Sequence, residues 1–258
     1  MGIELSVFLL ILLAIFWEFV DSTFGMLYGT VLTPILLILG FPVSEVIPSI
    51  LISQAVGGTV ASWRHHDKGN AIFKKNSKDF KIAFFIFANG IIAVIIGAYI
   101  GNIMHPIYLT TYIGCIVIVM GTIVLANESF NFSWKKVAII GFISSFNKAI
   151  SGGAFGPIVA SGLVISGKSG KSSIAITDFA EAPICLVGFF VWVILNNELP
   201  NHNLYLPLCL GAFIGGYFGP ATLSKIKSNE FVIKILGIIT IILGFWTLLK
   251  TPIAELLK

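Results

Sequence analysis

Ser151-Gly152-Gly153-Ala154-Phe155-Gly156-Pro157 splits an apolar stretch that otherwise runs from about residue 137 to residue 166. Three glycines and a proline in one short run end one helix and begin another. Pro157 suits the first turn of the new helix, where a missing N–H leaves no helical bond unmade. The pieces on either side, about 137–150 and 154–166, are too short to cross a bilayer: roughly 14 residues reach ~21 Å, against a hydrocarbon core of ~30 Å. A helix that starts inside a membrane turns free N–H groups and a positive dipole end toward the midplane. The run therefore reads as one wall of an anion site. The alternative is that its glycines only let helices pack closely, which does not call for a proline beside them.

The rest of the chain supplies the membrane. Of its 258 residues 57% are hydrophobic and 11% charged, with a mean hydropathy of +0.98. Soluble domains carry about a quarter charged residues, so no soluble domain of useful size is expected. Met1-Gly2-Ile3-Glu4 lacks the basic n-region of a secretory signal, and the first apolar run is read as a retained span. Ten apolar segments can be drawn, at about 3–20, 26–39, 45–62, 82–100, 107–125, 137–150, 154–166, 173–195, 204–222 and 231–249. They are expected to be helices, because backbone groups in hydrocarbon must be satisfied internally. The fold class expected is thus an all-α integral membrane protein. Cys115, Cys185 and Cys209 lie far apart in apolar segments and read as small buried hydrophobes, not as disulfides or a zinc site.

Charge orients the bundle. The net +4 is spread over short links, which fits membrane orientation and not nucleic-acid binding. Arg64, Lys68, Lys74, Lys75, Lys78 and Lys81 lie between segments 3 and 4. Lys135 and Lys136 follow segment 5, Lys168 and Lys171 follow segment 7, and Lys225, Lys227 and Lys234 flank the link after segment 9. Thirteen of the sixteen basic residues thus fall on alternate links, while 40–44, 101–106 and 196–203 hold none. The positive-inside rule makes the basic face cytoplasmic, with both termini outside and the protein multi-pass in a cell membrane.

The chain also repeats. Gly25-x-x-Tyr28-Gly29 recurs as Gly152-x-x-Phe155-Gly156, and Ser53-Gln54-Ala55 aligns with Ala180-Glu181-Ala182. Gly97-Ala98-Tyr99-Ile100-Gly101 recurs as Gly211-Ala212-Phe213-Ile214-Gly215, and Gly114 and Gly121 recur as Gly237 and Gly244. The expected organisation is a first repeat at 1–126, a cytoplasmic linker at 127–136 and a second repeat at 137–258. Five segments per half is an odd number, so the halves are inverted relative to each other. Inverted repeats build many secondary transporters, with the substrate held near the midplane between broken helices.

Five ionisable residues sit in apolar segments or at their breaks: Glu18, Asp21, Lys148, Asp178 and Glu181. Each costs roughly 2.5–3.5 kcal/mol at a helix centre, so each needs a partner or a task. Glu18 lies near a membrane boundary, where it can reach water. Asp21 and Lys148 occupy equivalent places in the two repeats. Asp178 and Glu181 share a helix face, beside Pro183, which disturbs the backbone bonding there. In one reading Lys148 contacts an anion while Asp178 or Glu181 carries a proton. In the other, Lys148 and one of these acids form a structural ion pair; the two can alternate. Ser22, Thr23, Ser53, Gln54, Ser144, Ser145, Asn147 and Ser151 could complete the site or bond their own helices. Gly162-Leu163-Val164-Ile165-Ser166-Gly167-Lys168-Ser169 matches the Walker A string, but lacks the soluble sheet that a nucleotide site needs; Lys168 reads as a topology charge. Arg64-His65-His66-Asp67 reads as a solvated or headgroup-facing cluster.

Ten short segments, an inverted duplication, a glycine-rich break in each half and a Gly-Ala-x-Ile-Gly element resemble the sulfite exporter TauE/SafE family, also called the toluene sulfonate uptake permease family. The resemblance runs from about Trp17 to Leu249. It implies secondary transport of a small sulfur-containing anion (sulfite, sulfoacetate or another organosulfonate), coupled to an ion gradient, by alternating access. It also implies a site at the paired breaks, Ser22–Gly29 and Ser151–Pro157. The expected substrate contacts are Ser22, Thr23, Gly25, Gly29, Asn147, Lys148, Ser151, Gly152, Gly153 and Gly156; the expected coupling residues are Asp21, Gln54, Asp178 and Glu181. Met26 and Tyr28 stand where the family often has glycines, which narrows the pocket and bears on substrate identity. The expected partners are the anion, the lipid bilayer and a coupling proton, with no cofactor and no nucleic acid. A carrier of another solute, such as a divalent cation, is the alternative, and Lys148 argues against it. An intramembrane enzyme lacks support, since neither a nucleophile–base pair nor His-Glu-x-x-His is present.

Overall fold

A computed structural model describes residues 7–126, 133–165, 168–226, 238 and 240–249. Residues 127–132 of the linker, the start of segment 10 with Gly237, Lys227, Lys234 and both termini lie outside the described residues. So do Ser166 and Gly167 of the Walker-like string. Within the described residues the helices are α1 (Val7–Phe24), α2 (Tyr28–Ile38), α3 (Val43–Asp67), α4 (Lys78–Ile103), α5 (Pro106–Ala126), α6 (Trp134–Ser151), α7 (Phe155–Ile165), α8 (Gly170–Asn196), α9 (His202–Lys225) and α10 (Thr240–Leu249). Five of them, α1, α3, α4, α8 and α9, are long and apolar enough to cross a membrane; α2 and α10 are shorter apolar helices. Large apolar side chains stand exposed on the outside of the bundle, among them Phe16, Ile92, Phe190, Phe213 and Phe218. Buried positions hold Glu18, Asp21, His65, Lys148, Asp178 and Glu181. An apolar exterior around ionisable groups is what a lipid solvent selects.

The two expected breaks are real and alike. α1 ends at Gly25 (φ +76°) and α6 ends at Gly152 (φ +72°), both in the left-handed conformation that favours glycine. Two residues on, Leu27 (φ +108°) and Ala154 (φ +66°) occupy the same region without glycine's freedom. α2 and α7 then start at equivalent places and run 11 residues each. α6, at 18 residues, is longer than the sequence suggests because its first turn takes in Trp134–Lys136. α8 continues through Pro183, so the proline removes one backbone donor without ending the helix.

Helices early and late in the chain pack on one another. α9 packs along α1 and α3, and α4 packs along α6 and α8. These crossings are close because glycine lines them. A Cβ on Gly215 would meet Ile15 O at 2.6 Å, and one on Gly97 would meet Phe146 O at 2.6 Å. The Gly-Ala-x-Ile-Gly elements are nevertheless not equivalent in space. Phe146 precedes Gly152 by the same interval as Phe19 precedes Gly25, and Phe19 O lies 2.9 Å from a Cβ on Gly219, not Gly211. Repeated glycines on one helix face make such a register slip easy to read into a sequence.

Alternate links gather at opposite ends of the bundle. Lys168 Nζ reaches Asp79 Oδ1 at 2.5 Å, Lys171 Nζ donates to Ser224 O at 2.7 Å, and Asn70 Nδ2 donates to Pro220 O at 3.0 Å. These contacts join the end of α3, the starts of α4 and α8, and the end of α9 into one basic face. At the other end Asn102 donates to Asn196. A cavity of about 490 Å³ opens there, among Phe41, Ser44, Asn102, Pro106 and Trp192. Cys185 is buried, but Cys115 is exposed on the apolar exterior and Cys209 is half-buried, so only Cys185 fits the expectation of a core hydrophobe.

Candidate functional site

The breaks cross at the centre of the molecule, backbone against backbone. A Cβ on Gly29 would lie 1.8 Å from Gly152 O, and one on Gly156 would lie 2.5 Å from Gly25 O. The second glycine of each break therefore covers the carbonyl of the other break's first. A Cβ on Gly153 would meet Thr30 N at 2.7 Å, and Ala154 N donates to Thr30 Oγ1 at 2.9 Å. Only glycine permits this approach.

Around the crossing the buried polar side chains form one chain of contacts. Lys148, in the last turn of α6, places Nζ 2.7 Å from Glu181 Oε1 on α8 and also donates to Gln54 Oε1 on α3. Gln54 Nε2 donates to Asp21 Oδ2 at 3.0 Å. The amide orientation is fixed chemically, since an ammonium only donates and a carboxylate only accepts. Asp21 Oδ1 accepts from Tyr28 N at 2.8 Å, so the start of α2 is capped by a carboxylate of its own chain. Tyr28 OH donates to Ser53 Oγ at 2.8 Å. Gln54 and Glu181 both contact Lys148, while Asp21 and Lys148 share Gln54. Gln54 lies roughly 17 Å and 20 Å from the two ends of α3 at 1.5 Å per residue, which is near the middle of that helix.

Several expectations are redrawn. Lys148 and Glu181 form the ion pair that was one of the two alternatives. Asp178 pairs instead with His65, Nε2 to Oδ2 at 3.0 Å. His65 is fully buried, which corrects its reading as a solvated headgroup contact; His66 and Asp67 are the exposed members of that cluster. Glu18 does not reach water: it is buried against Gly57, and its Oε2 has no hydrogen-bond partner. The hydroxyls of Ser22, Thr23, Ser144, Ser145 and Ser151 bond carbonyls four residues back in their own helices. Asn147 accepts from Tyr112 OH on α5. Sequence reasoning missed Asn70 and Tyr112 and gave His65 and Tyr28 other roles, since most of their partners lie on other elements.

The model of the sulfite exporter TauE/SafE family matches residues 10–247. The chain belongs to that family. Among curated proteins and among solved structures, none matches it. TauE/SafE proteins are membrane transporters of the sulfite or sulfonate exporter type, and the match spans both breaks, Lys148, Gln54, Asp178 and Glu181. The TauE/SafE fold here therefore carries a buried, interlinked set of charges beside the crossing of its two breaks.

Proposed function

We propose that the protein is a secondary transporter of a small sulfur-containing anion, sulfite or an organosulfonate, driven by a proton gradient through alternating access. Two inverted repeats, 1–126 and 137–258, would rock about the crossing of the breaks, with the basic face cytoplasmic and both termini outside. The matched geometry of Gly25 with Gly152, Leu27 with Ala154 and Gly29 with Gly156 supports that organisation.

The observation that carries the reading is the buried Lys148–Glu181 pair at the crossing. Lys148 is the one ammonium among four carboxyl groups, and all five residues are no more than 4% exposed. An ionised excess of carboxylates without partners is costly in a low dielectric, so the set is built to hold protons. A proton on Glu181 releases Lys148, which then binds the anion in place of the carboxylate. An unprotonated Glu181 reclaims Lys148 and expels it. Proton and anion are thereby carried together, with Gln54 passing the change in Lys148 to Asp21 and the start of α2. The packed state described here corresponds to the ion-paired carrier. Ser22, Thr23, Asn147, Ser151 and the glycines of both breaks line the space that rocking would open.

Thermal shifts of the purified protein with sulfite, thiosulfate, sulfoacetate, phosphate and magnesium test the reading. Sulfite or a sulfonate should stabilise the wild type, more at low pH than at high pH, and not Lys148→Ala. Stabilisation by magnesium alone, or an anion shift that survives Lys148→Ala, defeats it.

A further inference from the structure

His65 lies in the last turn of α3, toward the basic face, yet none of its side chain meets solvent. Both ring nitrogens are engaged. Nε2 lies 3.0 Å from Asp178 Oδ2 on α8, and Nδ1 lies 3.0 Å from Asn70 Nδ2 in the link after α3. The same Asn70 nitrogen donates to Pro220 O on α9. A carbonyl can only accept, so that atom is the amide nitrogen and its second N–H points to His65 Nδ1. The neutral ring must then carry its proton on Nε2 and donate it to Asp178. Next to Asn70, a Cβ on Gly69 would meet nothing within 4 Å, so this link borders open space.

The charged groups about His65 are few. Asp178 faces it from α8, and Glu18 and Asp21 are buried on α1. On its own helix Arg64 is held by Asp67 and stacks on Tyr217 of α9, while His66 accepts from Phe73 N. Lys68 in the link lies on Asp67, and at this point α9 offers the Pro220 carbonyl.

We propose that His65 is the proton-transfer residue between water at the basic face and Asp178. When the Asn70 amide turns away, a proton from water binds Nδ1, and the Nε2 proton passes to Asp178 Oδ2. One proton has then moved from water to the carboxyl, leaving a neutral imidazole with its hydrogen on Nδ1. The starting tautomer returns when the turned ring gives its Nδ1 proton to water and takes one up from water at Nε2, an exchange with no net gain or loss. Asp178 is one helical turn from Glu181, so the proton arrives beside the residue that must release Lys148. The proposal rests on the proton-coupled reading above and adds the route by which the proton reaches the site.

Time-resolved infrared spectroscopy on the full chain in lipid tests this without any transported solute. After a downward pH step, the carbonyl band of protonated Asp178, identified by its loss in Asp178→Asn, should rise at least tenfold more slowly in His65→Gln than in the wild type. Glutamine keeps an acceptor for Asn70 and a donor for Asp178 but cannot take up a proton. Asn70→Ala, which opens Nδ1 to water, should match or exceed the wild-type rate. Equal rates in wild type and His65→Gln overturn the proposal. So does a rate slowed alike by His65→Gln and Asn70→Ala, which marks a structural role only, and so does a spectrum with no band that depends on Asp178. Because no anion is present, a wild type that moves neither sulfite nor sulfoacetate counts against the transport reading alone.

Discussion

Lys148 is the residue on which the energetics of the centre turn. Its ammonium is fully buried and held by Glu181 at 2.7 Å and by Gln54. Removing one member of such a pair leaves an uncompensated charge out of water, at a cost of about 3–5 kcal/mol, whereas removing both can be nearly neutral. Glu181→Gln alone should therefore lower stability by that order, and Lys148→Gln with Glu181→Gln should recover most of it. Thermal unfolding in detergent measures both; additive losses would show that the two side chains do not act as a pair. The sequence made the need for a partner legible, because an ionisable residue in an apolar run demands one. It did not say which acid. Asp178 and Glu181 lie on one helical face, and only the packing of α3 and α6 against α8 gives His65 to the first and Lys148 to the second. For His65 the neighbouring basic link pointed to water, and its true partner is more than a hundred residues away.

At the scale of elements, the breaks were the readable feature, since glycine and proline punctuate a helix whatever surrounds it. What the sequence concealed is that the breaks touch. Gly29→Ala would drive a Cβ to 1.8 Å from Gly152 O, and overpacking against backbone has no flexible neighbour to yield. It should cost more than about 3 kcal/mol, while Gly170→Ala, which meets nothing within 4 Å, should stay within about 0.5 kcal/mol. Similar melting curves for the two variants would dissolve the crossing. Ala154, at φ +66°, pays for a left-handed conformation that glycine adopts freely. Ala154→Gly should raise stability by up to about 1 kcal/mol, and a clear loss in the same melt would mean that Ala154 is not strained.

At the scale of the whole molecule, the charge asymmetry of the links was legible and the packing of early helices on late ones was not. The basic links meet at one end through Lys168, Lys171 and Asn70, far from the end where Asn102 meets Asn196. In a cysteine-free background, Lys75→Cys should react with an impermeant thiol reagent only from the cytoplasmic side, and Asn201→Cys only from outside. Labelling of both from the same side would break the proposed topology. The misregistered Gly-Ala-x-Ile-Gly pair shows why this packing stayed hidden: α4 buries a row of glycines against α6 and α9 one against α1, so any of several offsets fits the string.

Uptake of sulfite and sulfoacetate into proteoliposomes under an imposed pH gradient is the most direct measurement of the central claim. The wild type should accumulate at least one of them in proportion to the gradient, and Lys148→Gln with Glu181→Gln, stable enough to reconstitute, should accumulate neither. Accumulation by that double variant at the wild-type rate, or by the wild type without regard to the gradient, would contradict a proton-released lysine at the heart of transport.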